Sequence, residues 1–162
     1  MTQPREGFLL TRHWRDTPQG TELSFWLATD DGPLEITLPP QESVAFIPEA
    51  QRAQVERLLQ GENGLRLAPL ALKDFHRQPV FGLYCHAHRQ LMRLEKKLRE
   101  NGITVYEADI RPPERYLMER FITAPVWVEG EARGQRLVNA RMKPNPHYRP
   151  PLKWVSLDIE TS

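Results

Sequence analysis

Residues 8–38, FLLTRHWRDTPQGTELSFWLATDDGPLEITL, read as three consecutive strands joined by two turns. Side chains alternate across a strand, so Phe8, Leu10, Arg12 and Trp14 face one way and Leu9, Thr11, His13 and Arg15 the other. Asp16-Thr17-Pro18-Gln19-Gly20 supplies turn chemistry, and a second strand over 22–29 sets Leu23, Phe25 and Leu27 against Ser24, Trp26 and Ala28. Asp30-Asp31-Gly32-Pro33 turns the chain again ahead of Leu34, Ile36 and Leu38. The product is an antiparallel meander, which places the chain in an α+β class rich in antiparallel strands.

Working outward, 43–47 is short and apolar, and Pro48 leads into a helix over 49–60 on which Ala50, Val55, Leu58 and Leu59 face inward, stopped by Gly61. Strands are predicted over 65–72 and 80–85, separated by polar residues 73–79. From His86 to Glu100, Ala87, Leu91, Leu94 and Leu98 recur at helical spacing, and Asn101-Gly102 tolerates the left-handed geometry that ends a helix. Ile103 to Ala108 reads as a returning strand, so 80–108 is predicted as strand, helix, strand. Arg111-Pro112-Pro113-Glu114 opens a third helix, with proline in the tolerated first turn and Tyr116, Leu117 and Phe121 as its buried stripe. Val126–Glu129 and Arg136–Met142 pair as a hairpin. The proline-rich stretch 144–151 reads as a linker between a domain over 1–143 and a further segment over 152–162.

A chain of 162 residues builds one ordinary domain, or one domain and the start of another, burying roughly 68–70% of its unfolded surface. Hydrophobic residues at 40% and charged residues at 27% describe a globular chain. No apolar run reaches the length of a membrane span or a signal peptide. The single cysteine, Cys85, forbids an internal disulfide and fits a reducing compartment, so a cytoplasmic location is expected. A net charge of +1 argues against a free-standing nucleic-acid binder and leaves DNA contact to local patches.

Four features bear on chemistry. Leu152-Lys153-Trp154-Val155-Ser156-Leu157-Asp158-Ile159-Glu160-Thr161 is an apolar strand that turns Val155, Leu157 and Ile159 to one face and Ser156, Asp158 and Glu160 to the other. Two acids two positions apart on a strand suit divalent metal, and they also suit an ordinary solvated strand end. Cys85-His86-Ala87-His88 offers zinc-ligand types, but His13, His76 and His147 are scattered, so a buried thiol beside a basic helix is the better reading. The outward side of helix 86–100 carries His88, Arg89, Arg93, Lys96, Lys97 and Arg99, of which Arg89, Arg93, Lys96 and Lys97 are candidate DNA contacts; interspersed Glu95 and Glu100 also fit a plain solvated face. Phe8, Trp14, Phe25 and Trp26 are stacking candidates for unpaired bases, or core. Nucleophile elbow, phosphate loop and metalloprotease signature are absent from the sequence.

The segment Gly102-Ile103-Thr104-Val105-Tyr106-Glu107-Ala108-Asp109-Ile110, followed by Glu114 to Ile122 with its Arg115-Tyr116-Leu117, is similar to the region that precedes the exonuclease domain in family B DNA polymerases. Asp158-Ile159-Glu160-Thr161 resembles that family's first exonuclease motif. Thr11–Thr17 and Leu70–Val80 resemble its bacterial members, so the likeness runs along essentially the whole chain. It implies an N-terminal polymerase domain followed by the first strand of an RNase H-like 3'-5' exonuclease domain. The parent would be a DNA-directed DNA polymerase with roles in proofreading, DNA repair, the SOS response, translesion synthesis and replication restart. Asp158 and Glu160 carry over as metal-binding exonuclease acids, which the family completes with aspartates from later motifs. Magnesium or manganese is therefore expected in the parent. None is expected in this chain alone, which is predicted to hydrolyse nothing. Implied partners are template-primer DNA, the remaining domains of the same chain and a sliding clamp reached through other regions. Two other classes stay open on the residues themselves: an independent single-strand nucleic-acid binding module and a plain interaction domain.

Overall fold

The computed structural model describes residues 3–161; Met1, Thr2 and Ser162, which fall within the expected divisions 1–143 and 152–162, lie outside the described residues. The meander forms as β1 (Arg5–Thr17), β2 (Gly20–Thr29) and β3 (Gly32–Thr37), paired antiparallel. The Thr17 and Thr29 hydroxyls close the two turns by donating to the Gly20 and Gly32 carbonyls, at 2.7 Å each. A bulge between Leu9 and Thr11 breaks the expected alternation. It consumes one residue, so Leu9 and Trp14 both lie against the core while Leu10 is 51% exposed.

The meander does not stay open. β7 (Pro125–Arg133) and β8 (Arg136–Pro144) pair with each other, β7 adds to β1, and β8 runs parallel to β3 through Glu35↔Arg136 and Ile36↔Leu137. The result is a closed barrel in the order β1-β2-β3-β8-β7. Its interior holds Leu23, Phe25, Leu27, Ile36, Val126 and Val128, each worth roughly 1.5–3 kcal/mol of burial. α3 (Pro112–Glu119) seals it with Tyr116 and Leu117.

Phe121 is not part of that stripe: it is 88% exposed. The helix has ended, and Phe121 sits at φ 56° in the position that usually takes glycine. There its amide and that of Ile122 donate to the Met118 and Leu117 carbonyls at 3.1 and 2.9 Å. The left-handed turn throws Phe121 outward and folds Ile122 into the core.

A second unit is built from β4 (Ser43–Pro48), β5 (Leu65–Lys73) and β6 (Pro79–Cys85), antiparallel in the order β4-β6-β5. The helix expected over 49–60 is a single 3-10 turn, Glu49–Gln51, followed by α1 (Arg52–Leu58). α2 spans His88–Glu100 and packs Leu91, Leu94 and Leu98 on the sheet with Val55, Phe81 and Leu83. It ends as the Asn-Gly pair requires: Gly102 takes φ 80°, and the Gly102 and Ile103 amides cap the Arg99 and Leu98 carbonyls at 3.1 and 3.0 Å.

The strand expected over 103–108 does not form. Ile103, Val105 and Ala108 are buried as predicted, yet among the described residues the only ladder pairing of this stretch is a bridge between Phe46 and Tyr106. Arg99 donates to the Val105 carbonyl at 2.6 Å and Glu107 adopts φ 59°, so alternating burial here marks a coil pinned to the core. The barrel and the inserted unit have separate cores.

Beyond β8 the chain stays attached for a few residues. The Asn145 amide donates to Pro125 at 3.1 Å and its side chain to Glu6 at 2.9 Å, and the buried Tyr148 hydroxyl donates to Asp30 at 3.0 Å. Burial, with Asp30 accepting from its hydroxyl, pushes Tyr148 up to about 12. The strand expected over 152–161 is absent; the segment has no ladder partner among the described residues and exposes Trp154, Val155, Leu157 and Ile159 at 80–87%.

Candidate nucleic-acid interface

The barrel meets the inserted unit at the N-terminus of α2, where the sequence supplies Ala87 and no capping side chain of its own. The cap comes from the end of β1, 72 residues away. Asp16 Oδ1 accepts from the His88 amide at 2.8 Å and Oδ2 from the Arg89 amide at 3.1 Å, while the Thr21 hydroxyl donates to Oδ1 at 2.8 Å. This is N-cap chemistry delivered across a domain junction, with the carboxylate at the positive end of the helix dipole. Burial pushes Asp16 up, but those donors and the neighbouring His88 outweigh it and hold the carboxyl below its ordinary range. Behind it, His88 packs edge-on against Trp14 with ring centroids 4.9 Å apart, and its Nδ1 lies 3.2 Å from the Ser43 hydroxyl. Burial depresses the His88 imidazole, only partly offset by Asp16.

From this anchored end, α2 presents its cationic side to solvent. Arg89 and Lys96 are exposed and Lys97 half-buried, and among the described residues none of the three has an ion-pair partner. Arg93 is different. It forms a two-pronged pair with Glu62 at 3.0 and 2.8 Å, holding that carboxyl low, while Arg99 pairs with Glu95. The free positive charge on this face is therefore three groups, fewer than the sequence offered. His88, expected on the outward side, is buried instead. It sits at the first turn, where Trp14 and Ser43 cover it.

The remaining candidates separate. Cys85 is buried in the inserted unit's core, where burial pushes its thiol up to about 12, and His86 is exposed. Phe25 is core, Trp14 packs against the core and touches His88, Phe8 is half-buried, and Trp26 alone among those four stands 45% exposed. Asp158 and Glu160 are exposed on the unpaired segment. Among the described residues no three His, Cys, Asp or Glu side chains form a donor set. Two carboxylates on one extended segment fall short of the six or more oxygens that a hard divalent cation takes.

Sequence reasoning missed the junction. Asp16 looked like turn chemistry, and nothing nearby signals that its partners lie on α2. Arg115 is a second tie: from α3 it donates to the Glu107 carbonyl at 3.2 Å and pairs with the Glu107 and Glu119 carboxylates at 3.1 and 3.6 Å, over the Phe46 ring. Between the two ties lies a cleft of about 210 Å³ lined by Ser43, Tyr84, His88, Ile110, Arg115 and Arg120.

Comparison with known proteins follows the same division. Residues 7–42 match the family described as DNA polymerase II, N-terminal, and residues 43–103 the family described as DNA polymerase II, insertion domain. The boundary between the two matches falls at the start of β4, where the barrel meander gives way to the inserted sheet. The chain is 75% identical over 156 residues to DNA polymerase II of Escherichia coli (strain K12), a match covering 96% of this chain and 20% of that protein. It thus spans about a fifth of the length of that curated relative. In fold it is similar to the family B DNA polymerase of the hyperthermophilic archaeon Pyrobaculum calidifontis, with a TM-score of 0.64 at 16% identity, over 91% of this chain and 21% of the other.

Proposed function

The chain belongs to the DNA polymerase II family, as an N-terminal part of a family B polymerase, and from that premise we propose that it is a non-catalytic scaffold of a DNA-directed DNA polymerase. The observation that carries the reading is the 75% identity over 96% of the chain. In the parent, the domain over 1–143 would flank the template and brace the exonuclease domain, 144–151 would link the two, and 152–162 would enter the exonuclease sheet. The exposed apolar face of Val155, Leu157 and Ile159 supports that last step, because such a strand gains its burial from neighbours. Asp158 and Glu160 would then supply two of the oxygen donors to a magnesium or manganese site completed by acids outside these residues. The proposed setting is a cytoplasmic, nucleoid-associated enzyme of DNA repair and replication restart that proofreads its product and reaches a sliding clamp through other regions. No helix among the described residues is long and apolar enough to cross a membrane.

The test uses the intact parent on a primed template with a labelled 3' end. Primer extension, together with 3'-5' degradation that Asp158→Ala abolishes while extension persists, is the expected result. An Asp158→Ala parent that still trims the 3' end at the original rate would remove the exonuclease assignment. The 162-residue chain itself is expected to release no nucleotides with either metal.

A further inference from the structure

We propose that the tip of the β5–β6 hairpin docks single-stranded nucleic acid, with the Phe75 ring stacking on an unpaired base and Lys73 and Arg77 meeting the flanking phosphates. Phe75 is 96% exposed, the most exposed of the large apolar side chains at described positions. A frayed loop would make that incidental, but this loop is held on every side. The Asp74 amide donates to the Gln78 carbonyl at 2.9 Å and the Arg77 amide to the Asp74 carbonyl at 3.0 Å. Asp74 Oδ1 accepts from the His76 and Gln78 amides at 2.8 and 2.9 Å, and Oδ2 from the Tyr106 hydroxyl at 3.3 Å. Arg77 is held at φ 61°, a conformation that costs energy for any residue but glycine. The ring is thus presented on a fixed platform.

Charge selects the occupant. The one carboxylate in the tip, Asp74, is turned inward and fully engaged. Lys73, His76 and Arg77 are exposed, and among the described residues Lys73 and Arg77 have no ion-pair partner. Beside the ring runs an open hollow lined by Leu72, Lys73, Phe75 and Tyr106, whose far-side acids Glu107 and Glu119 are both held by Arg115. A rigid aromatic face edged by cations is the combination that binds bases without regard to sequence and phosphates by charge. Phe121 and Trp154, the other two aromatics that are more than four-fifths exposed, lack it. Phe121 is thrown out by the end of α3 beside Glu119, and Trp154 precedes two carboxylates.

The proposal rests on the assignment to a DNA-handling enzyme, and its test is separate from the 3'-end assay. Fluorescence anisotropy of a labelled oligothymidylate is measured with the 162-residue chain and with Phe75→Ala, Phe75→Tyr, Phe121→Ala and Lys73→Ala/Arg77→Ala, folding being checked by circular dichroism. Phe75→Ala is expected to weaken binding about tenfold, Phe75→Tyr to restore it and Phe121→Ala to leave it unchanged. The double variant is expected to flatten the log-log salt dependence by roughly 1.4. Equal affinity of Phe75→Ala and the parent chain overturns the proposal, as does the absence of binding by the parent chain. Should Phe75→Ala spare oligonucleotide binding yet impair docking of the remaining domains in the intact enzyme, the tip is a protein contact and the proposal is equally wrong. None of these results touches the family, which rests on sequence identity, or the exonuclease assignment, which stands or falls with the Asp158 experiment.

Discussion

The barrel and the inserted sheet solve the same problem in opposite ways. In the barrel, strands far apart in sequence pair, Arg5 with Val128 and Ile36 with Leu137, so no edge is left free and the core is closed only when both ends of the chain are in place. The inserted unit is built from neighbours: β5 and β6 form a hairpin, α2 follows β6 directly, and the sheet keeps β4 and β5 as edges. With separate cores and ties at Asp16 and Arg115, the two should lose structure separately. Non-local closure makes the barrel cooperative and local packing makes the insert separable.

The largest expected effect tests the barrel. Phe25 is 1% exposed at its centre, so Phe25→Ala should cost about 3–5 kcal/mol. Urea denaturation should then show amides of β1, β3, β7 and β8 losing hydrogen-exchange protection together. Leu94→Ala, at a fully buried position of α2, should cost about 2–5 kcal/mol but be felt differently. Protection should fall over 43–105 while barrel amides keep theirs. If the barrel amides lose protection in step, the two units are one cooperative body and the comparison breaks.

Next in size is the junction. Removing an N-cap acceptor costs typically about 1 kcal/mol, and the partial exposure of Asp16 keeps Asp16→Ala near that figure. Its acid dependence has a definite sign. Because Asp16 is held below its ordinary 3.8, the stability it gives is complete above that value and is lost as pH falls through the lower folded value. His88, depressed below its ordinary 6.5, also favours folding at higher pH: its contribution is complete above 6.5 and declines as pH falls from there towards the folded value. Thermal melts from pH 7 to 3 should show the Tm falling in two stages, the upper removed by His88→Gln and the lower reduced by Asp16→Asn, its remainder coming from other carboxyls held low such as Glu62 and Asp74. A Tm flat across that range in the parent chain would show that the junction carries no linked protons.

The same contrast explains what the sequence disclosed. Alternation of Leu23, Phe25 and Leu27 and the four-three spacing of Leu91, Leu94 and Leu98 are local signals, and β2 and α2 appear where those signals lie. Closure of the meander by β8 depends on partners about 100 residues away, and the capping of α2 by Asp16 on partners 72 residues away, to which no periodicity points. Two failures were local. Ile103, Val105 and Ala108 alternate in burial without a ladder, since burial needs a core and a strand needs a neighbour as well. Phe121 is apolar and correctly spaced, but the helix stops two residues short of it. Of the candidate site, Asp158 and Glu160 were legible as a pair of acids, while the pairing of Arg93 with Glu62 was not.

The smallest expected effect is the sharpest test of the terminal segment. Asp158 is exposed and has no partner among the described residues, whereas Asp16, a carboxylate of the same kind, holds two amides and a hydroxyl. If the worth of an acid to folding lies in what it holds, Asp158→Ala should change the stability of this chain by no more than about 0.5 kcal/mol, below the Asp16→Ala effect. The melting temperature of the 162-residue chain, read at pH 7 beside Asp16→Ala, decides it. A drop as large as that of Asp16→Ala would mean that 152–161 packs against the barrel in solution, giving Asp158 a structural role within the chain instead of one that waits on residues outside it.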